Sequence, residues 1–228
     1  MRMRLIVPSL LISLLSVLPS VGASSAAAKQ SKVIYLVAKD GGAKIATIHV
    51  NDESLLYELN GSSEAMLFTG DALFTLNNQD KTYRVQSYSD LQTAARETAR
   101  KVAQQTEPVD PNQGVVLELT DETNMISGLR VRRLKKVTGN RAESGFWVSS
   151  ELSPPALRAF GEKVRTILPR DYWRRAHGNP GMIEIITLFG VPLSFSEGST
   201  VLEAQIANSD SDAWSQVPQA TSEFSNGR

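Results

Sequence analysis

The sequence predicts an α+β protein in which a strongly curved antiparallel sheet carries two helices on its concave side. Short apolar runs recur along the chain, and turn residues such as Asp40-Gly41-Gly42 and Asn60-Gly61 separate them, which is typical of antiparallel strands. Two segments have the apolar spacing of amphipathic helices. Because strands and helices do not alternate along the chain, a parallel doubly wound sheet is disfavoured.

Strands and one helix are predicted in the first half of the chain. The strands are 33–38, 44–50, 55–59, 65–69, 72–76 and 82–88. In the last of them apolar and polar residues alternate, as expected of a strand with one buried face. A helix follows, which Ser89 or Asp90 caps and which runs to about Gln105.

Further strands and the second helix are predicted in the second half. The strands are 114–119, 128–137, 145–149, 183–189 and 200–207. Ser153 caps the helix, Pro154 and Pro155 occupy its first turn, and Pro169 ends it. Its apolar stripe consists of Leu157, Phe160, Val164 and Ile167 or Leu168.

The first 23 residues have the three-part layout of a secretory signal peptide. Arg2 and Arg4 form a basic start, 5–18 is an almost unbroken apolar run, and Val21-Gly22-Ala23 provides small residues for cleavage. The apolar run is shorter than the roughly 20 residues that span a bilayer, so we expect cleavage after Ala23, with Ala26 as a second site. The predicted location of the soluble mature protein is the periplasm or the extracellular space of a bacterium.

Beyond the signal peptide, 1–23, we predict one domain, 33–218, between a flexible lead-in, 24–32, and a disordered tail, 219–228. Hydrophobic residues make up 41% and charged residues 21% of the chain, which is enough for an ordinary core. The formal net charge is zero, and removal of two arginines with the signal peptide brings it near −2. A charge so close to neutral disfavours a nucleic-acid partner.

The residue inventory disfavours several kinds of catalytic and metal site. The chain has no cysteine and only two histidines, His49 and His177, so thiol chemistry is excluded and a structural zinc site is disfavoured. Neither a Gly-x-Ser-x-Gly nucleophile elbow nor a Gly-x-x-x-x-Gly-Lys phosphate loop occurs. We therefore expect a non-enzymatic protein without a metal ion or a cofactor.

Aromatic and basic side chains form two candidate contact sites. The aromatic set lines an apolar ligand site or, alternatively, belongs to the core; it consists of Phe68, Phe74, Tyr83, Phe146 and Trp147. The basic set falls on both faces of one predicted strand, and it either protects a sheet edge from pairing or contacts an anionic membrane surface. It consists of Arg130, Arg132, Arg133, Lys135 and Lys136.

Several short motifs follow one another in a recognisable order along the chain. They are Asp80-Lys81-Thr82-Tyr83, Gly145-Phe146-Trp147-Val148-Ser149, Gly190-Val191-Pro192-Leu193, a strand from Thr200 and Val217-Pro218. This order resembles exported bacterial proteins of a domain-of-unknown-function family, which is itself similar to the periplasmic lipoprotein carrier LolA. The resemblance implies a half-open barrel whose concave side holds helices and binds acyl chains or lipoproteins. It implies no catalytic residues. The first predicted helix has a weakly apolar face, which departs from the family pattern because a large apolar cavity needs apolar walls.

We therefore expect an exported binding module or carrier for an apolar ligand, a lipid or a lipoprotein. One alternative is a secreted hydrolase that uses His177 with Asp171 or Glu184. Another is a structural envelope protein whose basic strand, 130–136, contacts an anionic surface.

Overall fold

The computed structural model describes residues 31–104, 114–139, 141–176, 178–197, 200–209 and 225–226. The predicted signal peptide, most of the lead-in and most of the tail lie outside these residues. Ser31 and Lys32 belong to the first strand, so the predicted lead-in is two residues too long.

The described strands form one sheet of twelve members, and four helices accompany it. The strands are β1 (Ser31–Ala38), β2 (Lys44–Val50), β3 (Leu55–Leu59), β4 (Glu64–Phe68), β5 (Ala72–Asn77), β6 (Thr82–Ser87), β7 (Val115–Ile126), β8 (Leu129–Thr138), β9 (Arg141–Ser149), β10 (Val191–Glu197), β11 (Thr200–Ser209) and β12 (Ser225–Asn226). The helices are α1 (Tyr88–Ala103), α2 (Pro155–Ile167), α3 (Tyr172–Arg175) and α4 (Met182–Phe189). The strand order is β12-β6-β5-β4-β3-β2-β1-β11-β10-β9-β8-β7, and every pairing is antiparallel except that of β12 with β6.

The predicted α+β class with an antiparallel sheet is confirmed, but one strand and the number of helices are wrong. The run 183–189 forms helix α4, and the residues after it form strand β10, which is not among the predicted strands. A short run with so high a share of apolar residues has no clear period that separates a buried strand from a buried helix. Here α4 is buried on two sides, because α2 packs on it and Ile185 joins a cluster with sheet residues such as Leu134 and Phe146.

The predicted helix caps are also corrected. Helix α1 is capped by Ser87, not by Ser89 or Asp90: the Ser87 hydroxyl accepts from the Asp90 N–H at 3.1 Å and donates to the Asp90 carboxylate at 2.7 Å. This reciprocal pair satisfies the first turn of the helix. At α2 the N-cap position belongs to Pro154, and the Ser153 side chain makes no capping bond.

The sheet bends around the helices. Helix α1 continues directly from β6 near one end of the strand order, α3 packs on β7 at the other end, and α1 and α3 contact each other. Since β6 and β7 are ten strand positions apart, a flat sheet would separate them by about 48 Å. Both ends reach the same helical layer because the sheet is curved.

The main core lies between the inner face of the sheet and the helices. Ile34 and Leu36 of β1 face inward beside Ile48 and Ala46, their partners on β2. The core continues through fully buried side chains of β3, β4, α2, α4 and β10, which include Leu55, Phe68, Leu157, Ile186 and Leu193. A smaller apolar cluster lies on the outer face, around Leu56, Leu67 and Leu76.

Helices α2 and α4 approach each other backbone to backbone at Gly161. A Cβ atom on this residue would lie 2.2 Å from the carbonyl oxygen of Thr187 and 3.3 Å from the Cα atom of Leu188. Any side chain at this position would therefore push the two helices apart.

We predict that Gly161→Ala lowers the free energy of unfolding by about 2 kcal/mol or more. In a helix without a close neighbour, Gly→Ala would raise the free energy of unfolding by about 1 kcal/mol. The sign of the measured change therefore shows whether the close contact is present. Urea unfolding measures the change. Gly41→Ala is the control, because a Cβ atom there meets nothing within 4 Å; an equal effect at both positions would contradict the prediction.

Tyr88 joins α1 to α2 and to the sheet. Its ring stacks on Phe160 with the centroids 4.5 Å apart and the planes at 12°, and its hydroxyl donates to the carbonyl oxygen of Thr69 at 2.9 Å. Burial, with a smaller contribution from the charge of Asp71, raises the pKa of Tyr88 from 10.0 to about 12.

The raised pKa of Tyr88 predicts a loss of stability at alkaline pH. Above pH 10 the unfolded phenol releases its proton before the folded one, so the free energy of unfolding falls until the pH passes about 12. Urea unfolding across this range should show a smaller fall for Tyr88→Phe than for the natural protein. Burial also raises the pKa values of Tyr57 and Tyr172, but both residues are present in the natural protein and in the variant, so they do not contribute to the difference between the two curves. Parallel curves would contradict the prediction.

Candidate functional site

A cleft of about 670 Å³ opens between the β7–β8 end of the sheet and helices α2 and α4. Its volume is in the range of about 300–1,000 Å³ that is usual for small-molecule sites. The apolar part of its lining includes Leu119, Val148, Ile186, Leu188 and Phe189. The charged part consists of Arg130, Arg132, Arg158, Arg165, Asp121, Glu151 and Glu162.

The arginines reach the cleft from two elements. Arg130 and Arg132 are alternate residues of β8, so they share one face of the sheet. Arg158 and Arg165 lie two helical turns apart on α2 and share one side of that helix. The cleft is therefore amphipathic, with apolar side chains and guanidinium groups in one space.

Arg132 is held in place by the edge strand. Its Nε and Nη2 atoms donate to the carbonyl oxygen of Thr120 at 3.1 and 2.9 Å, and Nη2 also lies 3.2 Å from Oδ1 of Asp121. The pairing of β7 with β8 shifts register between Leu119 and Thr123, and this bulge carries both partners of Arg132. The guanidinium is thus positioned without help from a ligand.

Arg165 has fewer partners. Its guanidinium carbon lies 5.7 Å from the ring centroid of Phe189, and no carboxylate of the described residues lies within 4.0 Å of it. Burial lowers the pKa of Arg165, the nearby charge of Glu162 opposes this, and the charge of Arg132 lowers it further. The side chain is therefore a partly desolvated cation beside a second cation.

Ser153 adds an unused hydroxyl to the lining. The residue is 5% exposed, and its Oγ atom has no hydrogen-bond partner among the described residues. Most buried hydroxyl groups in proteins are paired. Ser153 is one of the residues that line the cleft.

The five predicted aromatic residues do not meet at one site. Phe68 is 1% exposed in the main core, and Phe146 stacks on Phe195 with ring centroids 4.3 Å apart. Phe74 and Tyr83 belong to the small outer cluster, with ring centroids 5.9 Å apart. Trp147, adjacent to Phe146 on β9, packs against the main core, and Arg133 lies 6.0 Å from its ring centroid. Their role in ligand binding stays a prediction.

The predicted basic strand is β8, and its cations do occupy both faces. Arg130 and Arg132 line the cleft, and alternation puts Lys136 on their face. On the other face Arg133 and Lys135 both bind Glu122, at 2.9 and 2.7 Å. Protection of a sheet edge was the wrong interpretation, because β8 lies between β7 and β9.

The two histidines and the acids suggested as catalytic partners lie in different surroundings. His177 lies outside the described residues, and Asp171, its suggested partner, binds Arg175 at 2.6 Å. Glu184 lies in the first turn of α4. His49 has its Nε2 atom 3.3 Å from Oε2 of Glu58 on the adjacent strand, and its buried Nδ1 atom has no partner among the described residues.

Sequence reasoning missed Arg158 and Arg165. The prediction of α2 used its end residues and its apolar stripe. The signal that could have identified the arginines is their seven-residue spacing, with Glu162 between them. That spacing places the residues on one side of a helix. It gives no information about β8, which faces them only in the folded chain.

Comparisons with known proteins assign no family. No family model matches the chain, and no curated protein matches it. Among solved structures, PNGF-II is similar to this chain, with a TM-score of 0.42 and 13% sequence identity. The similarity covers 87% of this chain but only 31% of PNGF-II. An uncharacterized conserved protein from Thermus thermophilus gives a TM-score of 0.34 at 8% identity, over 86% of this chain and 90% of that one. Neither likeness is close enough to assign a function.

Within the described residues, none of the helices has the length and apolar character that crossing a membrane requires.

The contact with an anionic membrane surface that the sequence predicts for the basic strand can be tested through the acid that pairs with its outer-face cations. Glu122→Gln removes the shared partner of Arg133 and Lys135, so binding to anionic phospholipid vesicles at low salt should strengthen by about fivefold. Vesicle co-sedimentation measures this. Glu97→Gln on the exposed side of α1 makes the same change in net charge and should have a smaller effect. Equal effects would show that net charge alone is responsible.

Proposed function

We propose that this protein is an exported, non-enzymatic binding module that holds a lipid, or the acyl chain of a lipoprotein, in the cleft between β7–β8 and helices α2 and α4. The observation that carries the proposal is the cleft itself, in which the partly exposed side chains of Leu119 and Phe189 lie beside Ile186 and Leu188 of the buried core. The signal-peptide pattern supports an exported location, in the periplasm or envelope. The motif order supports a half-open barrel of the lipoprotein-carrier kind.

The energetics of chain burial are adequate for this function. Each methylene group removed from water contributes about 0.8 kcal/mol, so ten of them contribute about 8 kcal/mol. This is about the free energy of micromolar affinity before the cost of association is subtracted. The cleft volume of about 670 Å³ accommodates one ligand of that size.

The alternatives have less support from the described residues. The hydrolase depends on His177, which lies outside them, and its suggested acid Asp171 is already paired with Arg175. The structural protein that contacts an anionic surface depends on exposed cations, but Arg133 and Lys135 on the outer face of β8 share the carboxylate of Glu122.

We predict that the protein purified without detergent carries lipid in stoichiometric amount. Solvent extraction followed by mass spectrometry measures the amount per chain. Leu119→Gln puts an amide in the apolar wall and should lower the bound lipid to about half or less, because a polar group there weakens chain burial.

Val85→Gln is the matched control, since Val85 is 45% exposed on β6 and does not line the cleft. It should leave the bound lipid unchanged. If the natural protein carries no lipid and takes up none from vesicles, the proposed function is wrong.

A further inference from the structure

We propose that the cleft selects single-chain amphiphiles with an anionic head group, a carboxylate or a phosphate monoester, and that Arg132 and Arg165 bind this head group. The chain of the ligand lies along Leu119 of β7 and Phe189 of α4, the partly exposed apolar residues of the lining. This inference rests on the proposed function, because it names the ligand class of the same cleft.

The first support is the arrangement of Arg165. The guanidinium carbon lies 5.7 Å from the ring centroid of Phe189, and this contact uses none of the N–H groups as donors to an acceptor. Among the described residues no carboxylate lies within 4.0 Å to accept from them. A half-buried guanidinium with unused donors is suited to bind a planar or tetrahedral oxyanion, which can accept from two N–H groups at once.

The second support is the proximity of Arg132. Its Nε and Nη2 atoms are engaged by Thr120 and Asp121, whereas Nη1 has no hydrogen bond to a described residue. The charge of Arg132 acts on Arg165 across the cleft and lowers its pKa, so the two cations repel each other. An anion between them replaces this repulsion by two attractions.

The third support is the remaining polar lining. The unpaired hydroxyl of Ser153, which is 5% exposed, belongs to the same wall. Of the acids in the lining, Asp121 is paired with Arg132, while Glu151 and Glu162 are exposed, where solvent and salt weaken their repulsion of a head group. A cleft of this size fits one chain with one head group.

Isothermal titration calorimetry on the delipidated full chain tests the inference with four probes. Dodecyl phosphate and dodecanoate carry the two anionic head groups, dodecanol has the same chain without a charge, and inorganic phosphate has the charge without a chain. We expect both anionic amphiphiles to bind at least about tenfold more tightly than dodecanol. We expect added salt to weaken only the anionic amphiphiles.

Arg165→Gln should weaken the binding of dodecyl phosphate by about tenfold or more and change that of dodecanol by less than about twofold. Arg165→Lys keeps the charge but loses the planar donor group, and it should give an intermediate affinity. Arg170→Gln is the matched control, because Arg170 is 75% exposed, pairs with Glu118 and does not line the cleft. Circular dichroism confirms that each variant is folded.

The outcomes separate this inference from the proposed function. If dodecanol binds the natural protein as tightly as the anionic amphiphiles, or if Arg165→Gln weakens all of them equally, the head-group inference is wrong and chain binding stands. If inorganic phosphate binds as tightly as dodecyl phosphate, the site recognises a free anion and the ligand class is wrong. If none of the amphiphiles binds, both proposals are wrong. If Arg165→Gln does not fold, the affinities of the four probes for the natural protein still test whether the cleft selects an anionic head group.

Discussion

The contact between α2 and α4 at Gly161 is the constraint on which the rest of the structure depends. It brings two helices close enough to fit together inside a curved sheet, where α2 supplies Leu157 and α4 supplies Ile186 to one core. The same pair forms one wall of the cleft, so the contact also sets where Arg165 stands relative to the apolar residues of α4. A bulkier residue at this position would change core and cleft together.

Local patterns were sufficient to predict most of the sheet. The strands β2 and β3 have the predicted bounds, because a turn with glycine precedes or follows each and their residues fit a half-buried strand. Helix α4 could not be predicted in this way. Its isoleucines favour a strand by local preference, and only burial between α2 and the sheet makes a helix the better structure.

The candidate site was predicted only in part. The cations of β8 were identified from the sequence, including their division between two faces, and two of them line the cleft. The partners on α2 were not, since a cleft is a relation between segments far apart in the chain. The aromatic residues show the same limit: Phe146 and Trp147 are neighbours in sequence, yet Phe146 belongs to the cluster around Ile185 and Trp147 packs against the main core.

The bulge in β7 has a further consequence for the edge of the sheet. It contains two consecutive acids: Asp121 binds Arg132, and Glu122 binds Arg133 and Lys135. Each such exposed pair is weak by itself, yet fraying of the outermost strand has to break all of them in the same step. At the rim beside the cleft, the end strand is therefore linked to its neighbour by side-chain pairs in addition to the backbone pairing of the sheet.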